Sequence, residues 1–131
     1  MNLSICIITK NEEQNIDRCL KALAPYGLET IVVDTGSTDR TKQIAARYTD
    51  RLYDFPWCDD FSAAKNFAIE KASHSYVLVL DSDEFAEQLD LSVLEKQIAA
   101  HPGAVGRIRR RNVFHRNGEE QENREWINRI F

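Results

Sequence analysis

The stretch Tyr76-Val77-Leu78-Val79-Leu80-Asp81-Ser82-Asp83-Glu84-Phe85 decides how the chain folds. Residues 77–80 form an unbroken apolar run that leads straight into Asp81, Ser82, Asp83 and Glu84. Such a run suits a strand buried on both faces, as in a parallel sheet. The acidic residues then stand at the strand's C-terminal end, where open α/β sheets bind ligands. If the backbone stays extended, Asp81 and Asp83 point to the same side, because side chains alternate with period two. Two carboxylates so close repel unless positive charge lies between them. Mg²⁺ or Mn²⁺ carrying phosphate oxygens would supply it. The plainer alternative is an N-cap and first helical turn, where acids meet the helix dipole.

Upstream, strand-like and helix-like segments alternate three times. Leu3–Thr9, LSICIIT, is the first strand. A helix follows, capped by Asn11 with Gln14 as the capping-box partner and Glu12 and Glu13 in its positive first turn. Ile16, Leu20 and Leu23 give its apolar face, and Pro25 and Gly27 end it. Residues 30–33, TIVV, form a second strand ending at Asp34. A second helix over 39–48 turns Ile44, Ala45 and Tyr48 inward. A short strand over 51–55 and the loop Pro56-Trp57-Cys58-Asp59 lead to a third helix over 60–72, with Phe61, Ala64, Ala68 and Ala72 at helical spacing. This order predicts a parallel sheet with helices on both faces and right-handed crossovers. Beyond Phe85 the pattern changes to a helix over 91–100, stopped by Pro102 and Gly103. Strands over 106–114 and 126–131 then flank a turn at Asn117-Gly118. No repeat or linker interrupts the chain.

A chain of 131 residues can bury a real core. Net charge is −4 but uneven: residues 103–131 carry seven Arg against four Glu, which leaves ten basic and seventeen acidic residues on the rest. This balance gives no reason to expect a nucleic-acid partner. No apolar run reaches the roughly 18–20 residues of a membrane span. Residues 5–8 are too short, and lack the basic leader, for a signal peptide. Cys6, Cys19 and Cys58 form no CxxC pair, and one is left over in any disulfide scheme. Reduced thiols and a cytoplasmic protein are expected, with Cys6 and Cys19 in the core.

A second loop, Asp34-Thr35-Gly36-Ser37, also sits at a strand's C-terminal end. Asp34 offers hydrogen-bond acceptors to a base or ribose, Gly36 permits a tight turn, and Ser37 or Thr38 can cap the next helix. The alternative is a plain connecting turn. DTGS is similar to the catalytic loop of aspartic proteases, but those are all-β proteins, and helices flank this loop. LDSDEF is similar to the first motif of haloacid-dehalogenase-type phosphatases, but Phe85 stands where that motif carries Thr or Val. No GxGxxG or GK[ST] is present. His74, His101 and His115 lack metal-site spacing. Lys65, one position off the stripe of the third helix, can reach a nucleotide or simply be solvated. The arginines of Arg107-Ile108-Arg109-Arg110-Arg111 partly share a sheet face, suited to phosphates, to an acidic partner or to guarding an exposed edge.

Four stretches in order, SICIITKNEE, IVVDTGSTDRT, WCDDFSAAKNFAIEKA and YVLVLDSDE, resemble family 2 glycosyltransferases, which use nucleotide sugars and have the GT-A fold. The third is most similar to a bacterial subgroup that includes lipopolysaccharide-core sugar transferases and peptide glycosyltransferases. The resemblance covers residues 2–85 strongly and 107–131 weakly. It implies an α/β, Rossmann-like GT-A domain over 1–131, with a nucleotide-binding part over 1–85 and the start of an acceptor-side part over 86–131. The nucleotide-binding set it implies is Thr9, Asn11, Glu12, Asp34, Gly36, Lys65, Asp81 and Ser82. Within that set Asp34 meets the base, most simply uracil, Lys65 lies near the base, and Asp81 contacts the ribose. Asp83 would hold Mn²⁺ or Mg²⁺ as the family's metal-binding DxD.

The implied reaction is inverting transfer from a UDP-sugar. An acceptor hydroxyl or thiol displaces the diphosphate at the anomeric carbon, and the acceptor is a saccharide, a lipid-linked group or a peptide. The implied enzyme is cytoplasmic, with room for peripheral association at the inner face of the membrane. Three departures stand out. Lys65 replaces the commoner Arg and its planar fork of donors. His74-Ser75 stands where Gly-Asp is common. The chain stops near where the acceptor half of the family begins, so a fragment or an incomplete catalyst is expected, and no residue is assigned as the base. The alternative from another class is a nucleotide-binding module that transfers nothing.

Overall fold

The computed structural model describes residues 2–87, 89–116 and 118–131; for Ile108, Arg109, residues 111–116, Asn123, Glu125, Trp126 and Asn128 it describes the backbone alone. The described elements are β1 (Leu3–Thr9), α1 (Ile16–Leu23), a 3₁₀ turn (Ala24–Tyr26), β2 (Glu29–Asp34), α2 (Thr41–Ala45), β3 (Leu52–Asp54), α3 (Phe61–Lys71), β4 (Tyr76–Asp81), α4 (Leu91–Ala100), β5 (Gly106–Arg116) and β6 (Glu119–Ile130). They build one six-stranded sheet in the order β3-β2-β1-β4-β6-β5. The first four strands in that order are parallel, and β6 joins β4 antiparallel at Leu78 and Ile130.

Period-two alternation along β1 divides the core. Leu3, Ile5 and Ile7 face a layer with Ile16, Cys19, Leu20 and Leu23 of α1 and Ala45 of α2, against which Leu94 and Ile98 of α4 also pack. Cys6, Ile31, Val33, Val77 and Val79 face the opposite layer, with Ala68 of α3 and the half-buried Tyr53, Phe55 and Phe67. Residues 77–80 are all buried, as a strand covered on both faces requires. Strands β1, β2 and β4 therefore bring Thr9, Asp34 and Asp81 to one edge of the sheet, with Thr9 beside Asp34 and Ile8 beside Asp81 in register.

Several local expectations are corrected. Asn11 does not cap α1: it has φ 52°, and its side-chain oxygen accepts the Thr38 N–H (2.8 Å). The helix begins five residues later, after Asn15, so Glu12 and Glu13 lie in the loop and Asp17 is the first-turn acid. The second helix spans only Thr41–Ala45, and neither Ser37 nor Thr38 caps it; its cap position is Arg40. Phe61 opens α3 but is half exposed, not inward, whereas Ala64 and Ala68 are buried. The strands of the last hairpin are longer than expected, and the turn residue Asn117 lies outside the described residues.

Candidate functional site

The acidic stretch after β4 is a tight turn, not a continued strand. The N–H of Glu84 donates to the carbonyl of Asp81 (3.0 Å), and the Glu84 carboxylate accepts the N–H of Asp81 (2.9 Å). The expectation that Asp81 and Asp83 share a side through extended backbone therefore fails. The turn instead tucks Ser82 inward, where its Oγ accepts a hydrogen bond from the buried Thr9 hydroxyl (3.0 Å), and leaves Asp83 exposed.

Arginines from the hairpin pair with two of the three acids of this turn. Arg129 Nη2 lies 3.5 Å from Asp81 Oδ2 and 3.2 Å from Glu84 Oε2, and Arg110 Nη1 lies 3.5 Å from the same Glu84 oxygen. Below the turn, the Cys19 thiol faces the Asp81 carbonyl (3.9 Å). Burial, aided by the carboxylates of Glu84 and Asp83, pushes that thiol up to about 12. Among the described residues Asp83 shows neither a hydrogen-bond nor an ion-pair partner, so it is the acid of the turn left open to a ligand.

Asp34 ends β2 with its side chain 1% exposed. One carboxylate oxygen accepts the N–H groups of Gly36 (2.9 Å) and Ser37 (2.8 Å), and the other is buried without a partner. Gly36 sits at φ 122°, a conformation that only glycine adopts without strain. A buried acceptor left unpaired costs free energy that a ligand's N–H can recover.

The loops after β1 and β2 are sewn together. Asn11 N–H donates to Ser37 Oγ (2.9 Å), Glu12 N–H to Thr41 Oγ1 (2.9 Å) and Glu13 N–H to Asp39 Oδ2 (3.3 Å), while Arg40 N–H donates back to Glu13 Oε2 (3.1 Å). Asn11 thus shapes the wall and does not line the cleft beside it. Lys65 sits on α3 with its ammonium 3.8 Å from the centre of the Phe131 ring.

A cleft of about 330 Å³ opens at this edge, lined by Ile8, Thr9, Lys10, Glu12, Thr35, Trp57, Phe61, Asp81, Ser82 and Asp83. It brings together Thr9, Glu12, Asp81, Ser82 and Asp83 of the expected set; Asn11, Asp34, Gly36 and Lys65 do not line it. Sequence reasoning gave Trp57 no role at the site and read Phe61 only as part of the apolar spacing of α3. The available signal was an aromatic residue inside a Pro- and Asp-containing loop at the C-terminal end of a strand. Arg129 was also missed, with no local signal to find it.

These residues meet the needs of a divalent cation only in part. No group of three or more His, Cys, Asp and Glu able to hold a metal forms among the described residues. The open Asp83 carboxylate suits a hard ion that takes one or two protein carboxylates and completes its shell with phosphate oxygens and water. No helix among the described residues is long and apolar enough to cross a membrane.

The sequence profile described as Glycosyl transferase family 2 matches residues 4–131. The lipopolysaccharide core biosynthesis glycosyltransferase LpsC of Rhizobium meliloti is 32% identical over 127 residues, which is 92% of this chain and 46% of LpsC. Among solved structures, S. aureus TarS superposes with a TM-score of 0.63 at 28% identity, over 86% of this chain and 21% of that one. Glucosyl-3-phosphoglycerate synthase from Mycobacterium tuberculosis, in complex with Mn²⁺ and UDP-glucose, superposes with a TM-score of 0.57 at 26% identity, over 63% of this chain and 33% of that one. The chain spans less than half the length of these curated and structural relatives. Its α/β sheet is that of the GT-A glycosyltransferases.

Proposed function

Because the chain belongs to glycosyl transferase family 2, we propose that it forms the donor-nucleotide part of an inverting sugar transferase that uses a UDP-sugar. The observation that carries this reading is the cleft at the C-terminal ends of β1 and β4, which gathers Thr9, Glu12, Asp81, Ser82 and Asp83. Residues 1–85 are the nucleotide-binding part, and 86–131 begin the acceptor-side part. The unpaired buried oxygen of Asp34 supports a role in accepting a base N–H. Lys65 lies near the base, Asp81 meets the ribose, and Asp83 holds Mn²⁺ or Mg²⁺.

When bound, that metal would neutralise charge on the departing diphosphate. The Mn²⁺ and UDP-glucose held by the mycobacterial synthase support the same ligand pair here. The acceptor, a saccharide, a lipid-linked group or a peptide, supplies the hydroxyl or thiol that displaces the diphosphate, and the likeness to LpsC supports the first of these. The expected workplace is the cytoplasm, with peripheral contact at the inner face of the membrane.

Thermal denaturation with UDP-, GDP- and CDP-sugars, with and without Mn²⁺, tests the proposal. Ligand at one hundred times its dissociation constant adds about 2.7 kcal/mol to a native state that alone binds it. UDP compounds with Mn²⁺ are expected to give the largest shift. The absence of a shift with every nucleotide diphosphate in the presence of metal would overturn the assignment.

A further inference from the structure

Trp57 and Phe61 line the cleft with the acidic turn, yet they are 43% and 50% exposed. The core beneath does not need them. Phe55 stacks on Phe67 at 4.9 Å, and Tyr53 meets Phe67 edge-on at 6.3 Å, so that aromatic layer is complete on its own. The Trp57 ring is nevertheless held in place. Its indole N–H donates to Asp59 Oδ1 (2.9 Å), and Asp59 adopts φ 60°, which a non-glycine residue ordinarily avoids. Asp60 then caps α3 by accepting the Ala63 N–H (3.2 Å). Asp59 thus holds a flat apolar face that the fold itself does not bury, just ahead of the helix that Asp60 caps.

A flat ring exposed among hydroxyls and carboxylates suits a flat ligand ring, which stacks on an indole face whatever its edge groups are. Chain position selects which ring of a nucleotide sugar that is. The N–H of Phe55 donates to the Asp34 carbonyl (2.8 Å), so Trp57 follows by two residues the point where its loop is tied to Asp34. Thr35, the residue after Asp34, lines the same cleft as Trp57, and so does the acidic turn, which stands across β1 at the end of β4. We propose that Trp57 is the stacking platform for the base of the donor nucleotide. This rests on the nucleotide-sugar reading above and adds to it a residue that sets affinity through the base alone.

Calorimetric titration of the 131-residue chain with UDP in Mn²⁺ is the test. Trp57→Ala is expected to weaken UDP by about 5- to 150-fold, the range of base–aromatic stacking. Trp57→Phe is expected to stay within about threefold of wild type, and Trp57→Ala to bind Mn²⁺-pyrophosphate unchanged. Trp57→Leu keeps apolar bulk without a flat face, so it decides the matter if the alanine variant fails to fold; it too is expected to lose affinity. In a Trp126→Phe background Trp57 is the sole tryptophan, and UDP is expected to change its fluorescence with the calorimetric Kd. Equal UDP affinity in Trp57→Leu and wild type overturns the platform and leaves the family reading intact. A loss seen with UDP-glucose but absent with UDP gives the ring to the sugar and also overturns it. A wild-type chain that binds no nucleotide diphosphate overturns both readings together.

Discussion

Replacing Arg129 with methionine tests whether the hairpin holds the acidic turn in shape. Methionine keeps a flexible stem and removes the guanidinium from Asp81 (3.5 Å) and Glu84 (3.2 Å). The magnitude follows from exposure. The Asp81 side chain is 45% exposed, so its pair is screened and contributes about 0–1 kcal/mol. The Glu84 side chain is 18% and that of Arg129 17% exposed, closer to a buried pair, whose breakage costs about 3–5 kcal/mol. Two features lower that figure: Glu84 keeps Arg110 at 3.5 Å, and Arg129 Nε is buried without a partner, a cost of about 1 kcal/mol that methionine removes. A net loss of about 1–2 kcal/mol remains, or roughly 3–8 °C in Tm for a chain of this size. Thermal unfolding followed by circular dichroism reads it. Saturating Mn²⁺ is expected to raise the variant's midpoint more than the wild type's, since a cation at the turn supplies part of the lost charge. A variant that melts within about 1 °C of wild type without metal would refute the reasoning, because the arginine would then be an onlooker.

Other outcomes follow from the same geometry. Asp83→Ala is expected to abolish the Mn²⁺-dependent part of UDP binding while the fold survives, whereas Asp81→Ala weakens UDP with metal or with chelator; calorimetry that finds Asp83→Ala as tight and as chelator-sensitive as wild type removes the metal from Asp83. At pH 8 a thiol reagent is expected to modify Cys58 quickly and spare the other two thiols until unfolding, because burial raises Cys6 to about 11 and Cys19 to about 12; three fast equivalents would contradict this. Burial pushes the Glu29 carboxyl up, but hydrogen bonds from Ser73 and Ser4 and the nearby Arg51 outweigh it and hold the pKa below the usual value. Its stabilisation is therefore present above the unfolded carboxylate pKa and is lost as pH falls through the lower folded value. Glu29→Gln should flatten that part of the acid limb of a stability–pH curve, and an unchanged limb would remove Glu29 as a contributor.

The central strands were legible because burial on both faces leaves an unbroken apolar run, and β1 and β4 carry one each; the charged hairpin strands β5 and β6 were read too short. Helix α4 has the expected bounds, Leu91–Ala100, with Pro102 and Gly103 just beyond its end as the stop signal that made it legible. The loops were not. Asn11 reads locally as a helix cap, but its partners Ser37 and Thr38 lie more than twenty-five residues away, and those bonds fix its backbone. Phe61 fits the spacing of Ala64 and Ala68, and spacing cannot say that the first turn of α3 overhangs a cleft. The cation facing Asp81 and Glu84 lies forty-five residues beyond Glu84, in a strand whose charged residues give no local sign of which acid they will meet.

The sewing of the β1 loop to the β2 loop also carries a consequence for how this fold diverges. Asn11 answers Ser37 and Thr38, Glu12 answers Thr41, and Glu13 answers Asp39 and Arg40, each through a side chain on one loop and a backbone N–H on the other. A change in either loop strands a backbone donor in the other. The two segments are therefore expected to change by paired substitutions rather than single ones, and grafting one loop from a relative without its mate should cost more than grafting both.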